Sequence, residues 1–144
     1  MADLKATERR YYEAFNAREL GRYDELFTDD VEVIASGGMR MKGVAAMREF
    51  DAGWHTAFPD CVITLTSQTA DGSVVVSENV FTGTHTGTLK TPAGDIPATG
   101  SNVVGEYAAV LRFAPDGKIA SFRAYLDRME LLEALGIIPA PAGA

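Results

Sequence analysis

The sequence predicts an α+β fold: helices in the first part of the chain, then a run of strands that curls around them as an antiparallel sheet. Three observations carry this. Apolar residues recur at helical spacing over Leu4–Ala17 and again over Val44–Phe58. From Val62 onward the pattern changes to β-branched and aromatic alternation, broken by the turn signals Asp71-Gly72 and Pro115-Asp116-Gly117-Lys118. No internal repeat and no second domain is visible. Residues 1–138 read as one domain, and 139–144 as a disordered Pro/Ala tail.

Taken in order, Leu4, Tyr11, Ala14 and Phe15 mark one face of a first helix. Asp3 is its N-cap, and Glu8, Arg9, Arg10 and Glu13 stand beside that face. Leu20–Phe27 reads as a short second helix, ending before Thr28-Asp29-Asp30. Val31–Ala35 is a short strand, and Met39–Met41 pairs back after Ser36-Gly37-Gly38. The third helix presents Val44, Met47, Phe50, Trp54 and Phe58 at steps of three and four, and Pro59 stops it. His55 lies off that stripe and is expected in solvent. Val62–Gln68, Ser73–Thr86, Val103–Phe113 and Ile119–Leu126 are the strands, with Thr91–Asp95 a loop. Arg128–Leu135 closes the domain as a short helix with Gly136 at its C-terminus.

Composition bounds the function. The chain has 144 residues, 47% hydrophobic and 23% charged, with net charge -7, so it repels nucleic acid and anionic membrane surfaces. One cysteine, Cys61, allows no intrachain disulfide, and no apolar run suggests a leader or a span; a cytoplasmic protein is expected. Two histidines in separate segments offer no metal-ligand spacing. No base is identifiable beside Cys61, which argues against a nucleophilic thiol.

The stretch Phe81-Thr82-Gly83-Thr84-His85-Thr86-Gly87 stands out because it delivers a histidine at the end of a long strand, just before a glycine. Strand parity sorts the residues around it. One row holds Val75, Ser77, Asn79, Phe81, Gly83 and His85. A second holds Gly105, Tyr107, Ala109 and Leu111, and a third Ile119, Ser121, Arg123, Tyr125 and Asp127. These rows mix aromatic walls with a few polar groups, as a small-molecule pocket requires, so they are assigned to a conical cavity between sheet and helices. Tyr12, Phe15, Trp54 and Phe58 from the helices, with Asn79, Phe81, Tyr107 and Tyr125 from the strands, are the candidate substrate contacts. Tyr12 also suits a surface or core-edge position, and Trp54 ordinary core packing. A one-residue slip in register would place Glu78 and Glu106 in the pocket instead.

The strings Tyr11-Tyr12-Glu13-Ala14-Phe15-Asn16, Phe58-Pro59-Asp60, Phe81–Gly87, Pro97-Ala98-Thr99-Gly100, Asp116-Gly117-Lys118-Ile119 and Tyr125-Leu126-Asp127 spread over almost the whole chain. Together they resemble the SnoaL-like polyketide cyclase and ester cyclase group of the nuclear-transport-factor-2-like superfamily. The resemblance implies a cone-shaped α+β barrel, usually a homodimer or homotetramer, with no metal or organic cofactor. It further implies intramolecular aldol ring closure on a hydrophobic carbonyl compound, with Asp127 as the acid and base and His85 in the pocket. The chain departs from the group in having Asn79 and Arg123 where tryptophan is frequent, which makes the pocket more polar.

An aspartate desolvated by an apolar cone is a better base near neutral pH, and Asn79, His85 or Tyr125 could donate to an enolate oxygen. Two plainer roles stand beside this one. Asp127 directly precedes a helix and suits its N-cap, and His85 suits a bond to loop backbone. Three functions therefore remain open at this point: a cofactor-independent cyclase or isomerase, a binding module without catalysis, and a hydrolase with an Asp-activated water.

Overall fold

Asp3 caps the first helix: its carboxylate accepts the Ala6 N–H at 3.1 Å and so starts helix α1, Leu4–Asn16. The computed structural model describes residues 3–139; the expected tail therefore lies, apart from Pro139, outside the described residues. A single 3₁₀ turn and the short helix α2, Tyr23–Leu26, lead into strand β1, Phe27–Ala35. Strand β2, Met39–Lys42, turns back on β1, and helix α3 follows over Val44–Ala57. The remaining strands are β3 Val62–Asp71, β4 Val74–Thr84, β5 Leu89–Thr91, β6 Gly94–Ile96, β7 Asn102–Phe113 and β8 Ile119–Leu126, and helix α4 spans Arg128–Ala134.

Six strands form one sheet in the order β2-β1-β8-β7-β4-β3. All pairs are antiparallel except β1 with β8, which run parallel. This parallel pair explains why β1 begins at Phe27 rather than Val31: Phe27 pairs with Ile119, and the register then shifts before Glu32 pairs with Ser121. The polar Thr28-Asp29-Asp30 run falls in that irregular stretch. The Thr91–Asp95 segment, expected as a loop, is the tip of the small β5–β6 hairpin, with Thr91 and Gly94 paired on either side of a Pro92-Ala93 turn and the Thr91 hydroxyl donating to Gly94 O at 2.7 Å.

Two further bulges curl the sheet, one at Thr66 in β3 and one at Ala120 in β8. Helices α1 and α3 fill the concave side. Tyr11, Phe15, Tyr23, Phe27, Met47 and Phe58 are all fully buried there against Val75, Leu111 and Phe122. No helix among the described residues is long and apolar enough to cross a membrane.

The singled-out stretch is first of all a packing device. A Cβ on Gly83 would lie 3.0 Å from the Phe58 Cβ, and one on Gly87 would lie 1.9 Å from the Thr56 carbonyl oxygen. The amides of Thr86 and Gly87 both donate to Ala57 O, at 3.2 and 3.0 Å. The glycines let the end of β4 close onto the C-terminal turn of α3 and fix where that helix sits over the sheet.

Candidate active site

Between α1, α3, α4 and the inner face of the sheet lies a cavity of about 90 Å³. A water needs roughly 10–15 Å³ on this measure, so there is room for several waters or a small ligand. Its wall is aromatic, with Phe15, Phe50, Trp54, Phe81 and Phe122, and it includes Tyr11, Tyr107 and Asp51. Gly105, paired with Phe81 across β4 and β7, meets nothing within 4 Å of where its Cβ would be; its missing side chain is part of the open space. No Lys, Arg or His lines the cavity among the described residues.

Asp51 is the polar centre of this wall. It projects from the middle of α3 and is 2% exposed. The Tyr23 hydroxyl donates to its Oδ2 at 2.6 Å, and the Tyr11 hydroxyl donates to the same oxygen at 2.9 Å. Its Oδ1 accepts no hydrogen bond from the described residues, and it is not among the atoms sealed off from open space. Burial pushes the carboxyl up to about 7, against the two tyrosine bonds that favour the ionised form. Burial also holds both phenols well above their ordinary value, so they remain protonated donors.

A second buried carboxyl belongs to α1. Glu8, fully buried on α1, accepts from Ser77 Oγ at 2.6 Å and from Gln68 Nε2 at 2.8 Å. Desolvation raises its pKa, and the bonds from Ser77, Gln68 and Tyr12 oppose that. The Tyr107 hydroxyl donates to Tyr12 Oη at 3.1 Å, which joins this cluster to the cavity wall.

The expected site residues divide. Phe15, Trp54, Phe81, Tyr107 and Asp127 border the cavity. Tyr12 and Phe58 are buried behind its wall. Asn79 faces inward but not into the cavity: its Nδ2 donates to Ser77 Oγ at 3.0 Å, and its Oδ1 has no partner among the described residues. Tyr125 is corrected outright, since it is 55% exposed on the outer face. The bulge at Ala120 is the reason. Arg112 pairs with Ser121 but Phe113 with Ile119, so the extra residue reverses parity, and Phe122, Ala124 and Leu126 turn inward in place of Arg123 and Tyr125. Of the slipped alternative, Glu78 is exposed and off the cavity, while Glu106 is exposed with its residue at the cavity border.

His85 is fully buried but off the cavity, its ring 5.2 Å from that of Phe58. Its Nδ1 accepts the Thr99 N–H at 3.2 Å and lies 2.9 Å from Thr99 Oγ1, and burial lowers its pKa. The imidazole ties the Pro97–Gly100 loop to the end of β4; it does not face Asp127. Asp127 is exposed, so the expected desolvation is absent. Its Oδ1 caps α4 through the Glu130 N–H at 3.1 Å, and the residue stands at the cavity rim. His55 is half-buried against Phe15, with ring centroids 4.3 Å apart, rather than solvated. Among the described residues no three His, Cys, Asp or Glu side chains are grouped to hold a metal.

Sequence reasoning missed both buried acids, although each carried a signal. Asp51 follows Met47 by four and precedes Phe58 by seven, on the apolar stripe of α3. Glu8 follows Leu4 by four and precedes Phe15 by seven on α1. A carboxylate inside an apolar helical stripe is a departure from pattern that marks special sites.

The overall shape is shared with solved structures. A candidate SnoaL-like polyketide cyclase from Jannaschia sp. CCS1 superposes with a TM-score of 0.82 at 19% identity, covering 94% of this chain and 93% of its own. AclR from Streptomyces galilaeus, a candidate hydroxylase, gives 0.81 at 25% identity, over 99% and 87%. IdmH from Streptomyces antibioticus, a candidate polyketide cyclase, gives 0.78 at 23% identity, over 94% and 99%. Comparison with curated proteins finds no match. The family profile described as SnoaL-like domain matches residues 9–122, from within α1 to the Phe122 side of the cavity wall. On that match, and with the cone and its inner cavity in place, this chain belongs to the SnoaL-like domain family.

Proposed function

We propose that the protein binds a small hydrophobic carbonyl compound in the cone and rearranges it by proton transfer at a carboxyl group, as a cofactor-independent cyclase or isomerase. The observation that carries this reading is the aromatic cavity with acidic groups on its wall and rim. Apolar walls exclude water and orient a flexible ligand, and a carboxyl at the wall exchanges a proton with carbon next to a carbonyl. Asp127, exposed at the cavity rim, would exchange protons with the part of the ligand that reaches solvent. His85 acts through structure alone, by holding the loop at the end of β4.

The test uses 2-tetralone, an apolar ketone of suitable size. Quenching of Trp54 emission reports entry, and deuterium uptake from heavy water next to the carbonyl reports proton transfer. The reading expects both, with slower uptake in Asp127→Asn. Binding with no uptake above the buffer rate would favour the alternative, a binding module without catalysis; the solvent exposure of Asp127 is what speaks for that alternative.

Self-association belongs to the same reading. Val62, Val76, Val104 and Tyr125 are 44%, 42%, 66% and 55% exposed on the outer face of the sheet, apolar side chains that a second copy would cover in a homodimer or homotetramer. Light scattering on the purified protein decides it. The lone Cys61 thiol suits a reducing compartment such as the cytoplasm.

A further inference from the structure

We infer that Asp51 is the catalytic base of the cavity, acting through Oδ1, with Tyr11 and Tyr23 as its positioning residues. The inference rests on the acid–base reading above and names the group that performs it.

The geometry separates the two oxygens of one carboxyl. Both phenols converge on Oδ2, at 2.6 and 2.9 Å, and these bonds come from two different helices. They lock the carboxyl plane. Both hydrogen bonds to the carboxyl end on Oδ2, which leaves Oδ1 uncommitted among the described residues, and Asp51 is 2% exposed and borders the cavity. A buried carboxylate oxygen costs free energy unless something satisfies it. Here the cavity that Asp51 borders is where a ligand's acidic C–H or hydroxyl would meet that oxygen.

The surroundings suit a base. Tyr11 from α1 and Tyr23 from α2 bond Asp51, Cys61 lies within reach of its charge, and Tyr107, Glu106, Asp127 and Glu130 share the cavity with it; none is cationic. Nothing therefore traps the carboxylate in an ion pair, and the two phenols keep an ionised fraction available near neutral pH.

The step balances without a co-reactant. Oδ1 takes a proton from the carbon next to the carbonyl, and the C–H electron pair becomes the enolate, with its charge on oxygen. If the enolate carbon adds to a second carbonyl, the protonated Asp51 returns its proton to the new alkoxide. If it does not, the proton returns to another carbon and the outcome is isomerisation. Tyr107 is the phenol on the wall that is not committed to Asp51. Its hydroxyl, bonded to Tyr12 in the structure, is the donor assigned to the enolate oxygen.

The test uses 5-nitrobenzisoxazole, a flat aromatic from which a base removes one carbon-bound proton as the ring N–O bond breaks to give a coloured cyanophenolate. The inference expects the intact protein to accelerate this opening, and Asp51→Asn to lose 10²-fold or more, the usual scale of general-base help. The exposed Glu25→Gln variant keeps the full rate. If Asp51→Asn does not fold, the pH profile of the intact protein serves instead. It rises through the Asp51 ionisation and moves alkaline in Tyr23→Phe. An unchanged rate in Asp51→Asn, or a profile indifferent to Tyr23→Phe, overturns the role of Asp51. The wider reading then survives if 2-tetralone still takes up deuterium and fails if it does not. If Trp54 emission shows that neither probe enters, the open cavity is refuted and both fall together.

Discussion

Tyr23 Oη stands 2.6 Å from Asp51 Oδ2, the shorter of two phenol bonds to a carboxyl that the fold otherwise strips of water. A bond to the charged form favours that form, so this contact holds the carboxyl down against its own burial.

Tyr23→Phe removes that donor and keeps the ring. A hydrogen bond to a charged group is worth about 1.5–3 kcal/mol, so the Asp51 pKa should climb by about one to two units above its present value of about 7. The expected outcome is a base-dependent rate whose half-maximal pH moves up by that amount, read from the pH–rate profile with 5-nitrobenzisoxazole. Tyr11→Phe should shift it less, since its bond is longer at 2.9 Å.

Stability should report the same group. Unfolded, Asp51 ionises near its ordinary value of about 4; folded, it does so at about 7. Between these values the folded state keeps a proton that the unfolded chain has released, so this group's contribution falls as pH rises from about 4 to about 7 and is flat above. The full span is on the order of 4 kcal/mol. Asp51→Asn cannot titrate. The difference between the unfolding free energies of the two proteins should therefore favour the natural one progressively toward pH 4. Glu8, raised in the same direction, is common to both and cancels. Urea titrations at several pH values between 4 and 8 check this; parallel curves would remove Asp51 as the titrating group.

Much of the cone was legible in the sequence because periodicity and parity are local. The stripe on α3 and the inward rows of β4 and β7 follow from spacing alone, and burial along both strands agrees. The misassignments have two physical sources. Parity on β8 fails at Ala120, because an inserted residue inverts everything after it and no glycine or proline marks the place. Asp51 and Glu8 were invisible to a reading that expects charge on the solvent side. What buries them is a set of hydroxyl and amide partners on other elements: Tyr11 and Tyr23 for one, Ser77 and Gln68 for the other. The Phe81–Gly87 string drew attention for its histidine, yet its glycines answer to the close approach of α3 and its imidazole to Thr99.

Cavity occupancy turns on Gly105. The position lies on the inward row of β7 between Val103 and Tyr107, and a side chain there would enter open space. Gly105→Leu should fill that space and weaken 2-tetralone quenching of Trp54 by tenfold or more. It should leave the unfolding midpoint unchanged or higher, because glycine weakens a strand interior and the new atoms displace nothing. Undiminished quenching would place the ligand outside the cone.

Two glycine-to-alanine changes on either side of the α3 contact should act with opposite sign. At Gly87 the new Cβ would stand 1.9 Å from the Thr56 carbonyl oxygen, a backbone atom that no rotamer change can move aside. Relief requires the end of β4 to back away from α3, stretching the Thr86 and Gly87 amide bonds to Ala57 O. Gly87→Ala should cost about 1–3 kcal/mol or more, the scale of overpacking in a close-packed interior. Gly53, by contrast, sits exposed within α3 with nothing within 4 Å of its absent Cβ. Gly53→Ala should stabilise by up to about 1 kcal/mol through helix propensity alone. Urea midpoints measured side by side decide it. A Gly87→Ala protein as stable as Gly53→Ala would mean that the Thr86–Gly87 turn does not hold α3 over the sheet, and that the helix carrying Asp51 owes its position to something else.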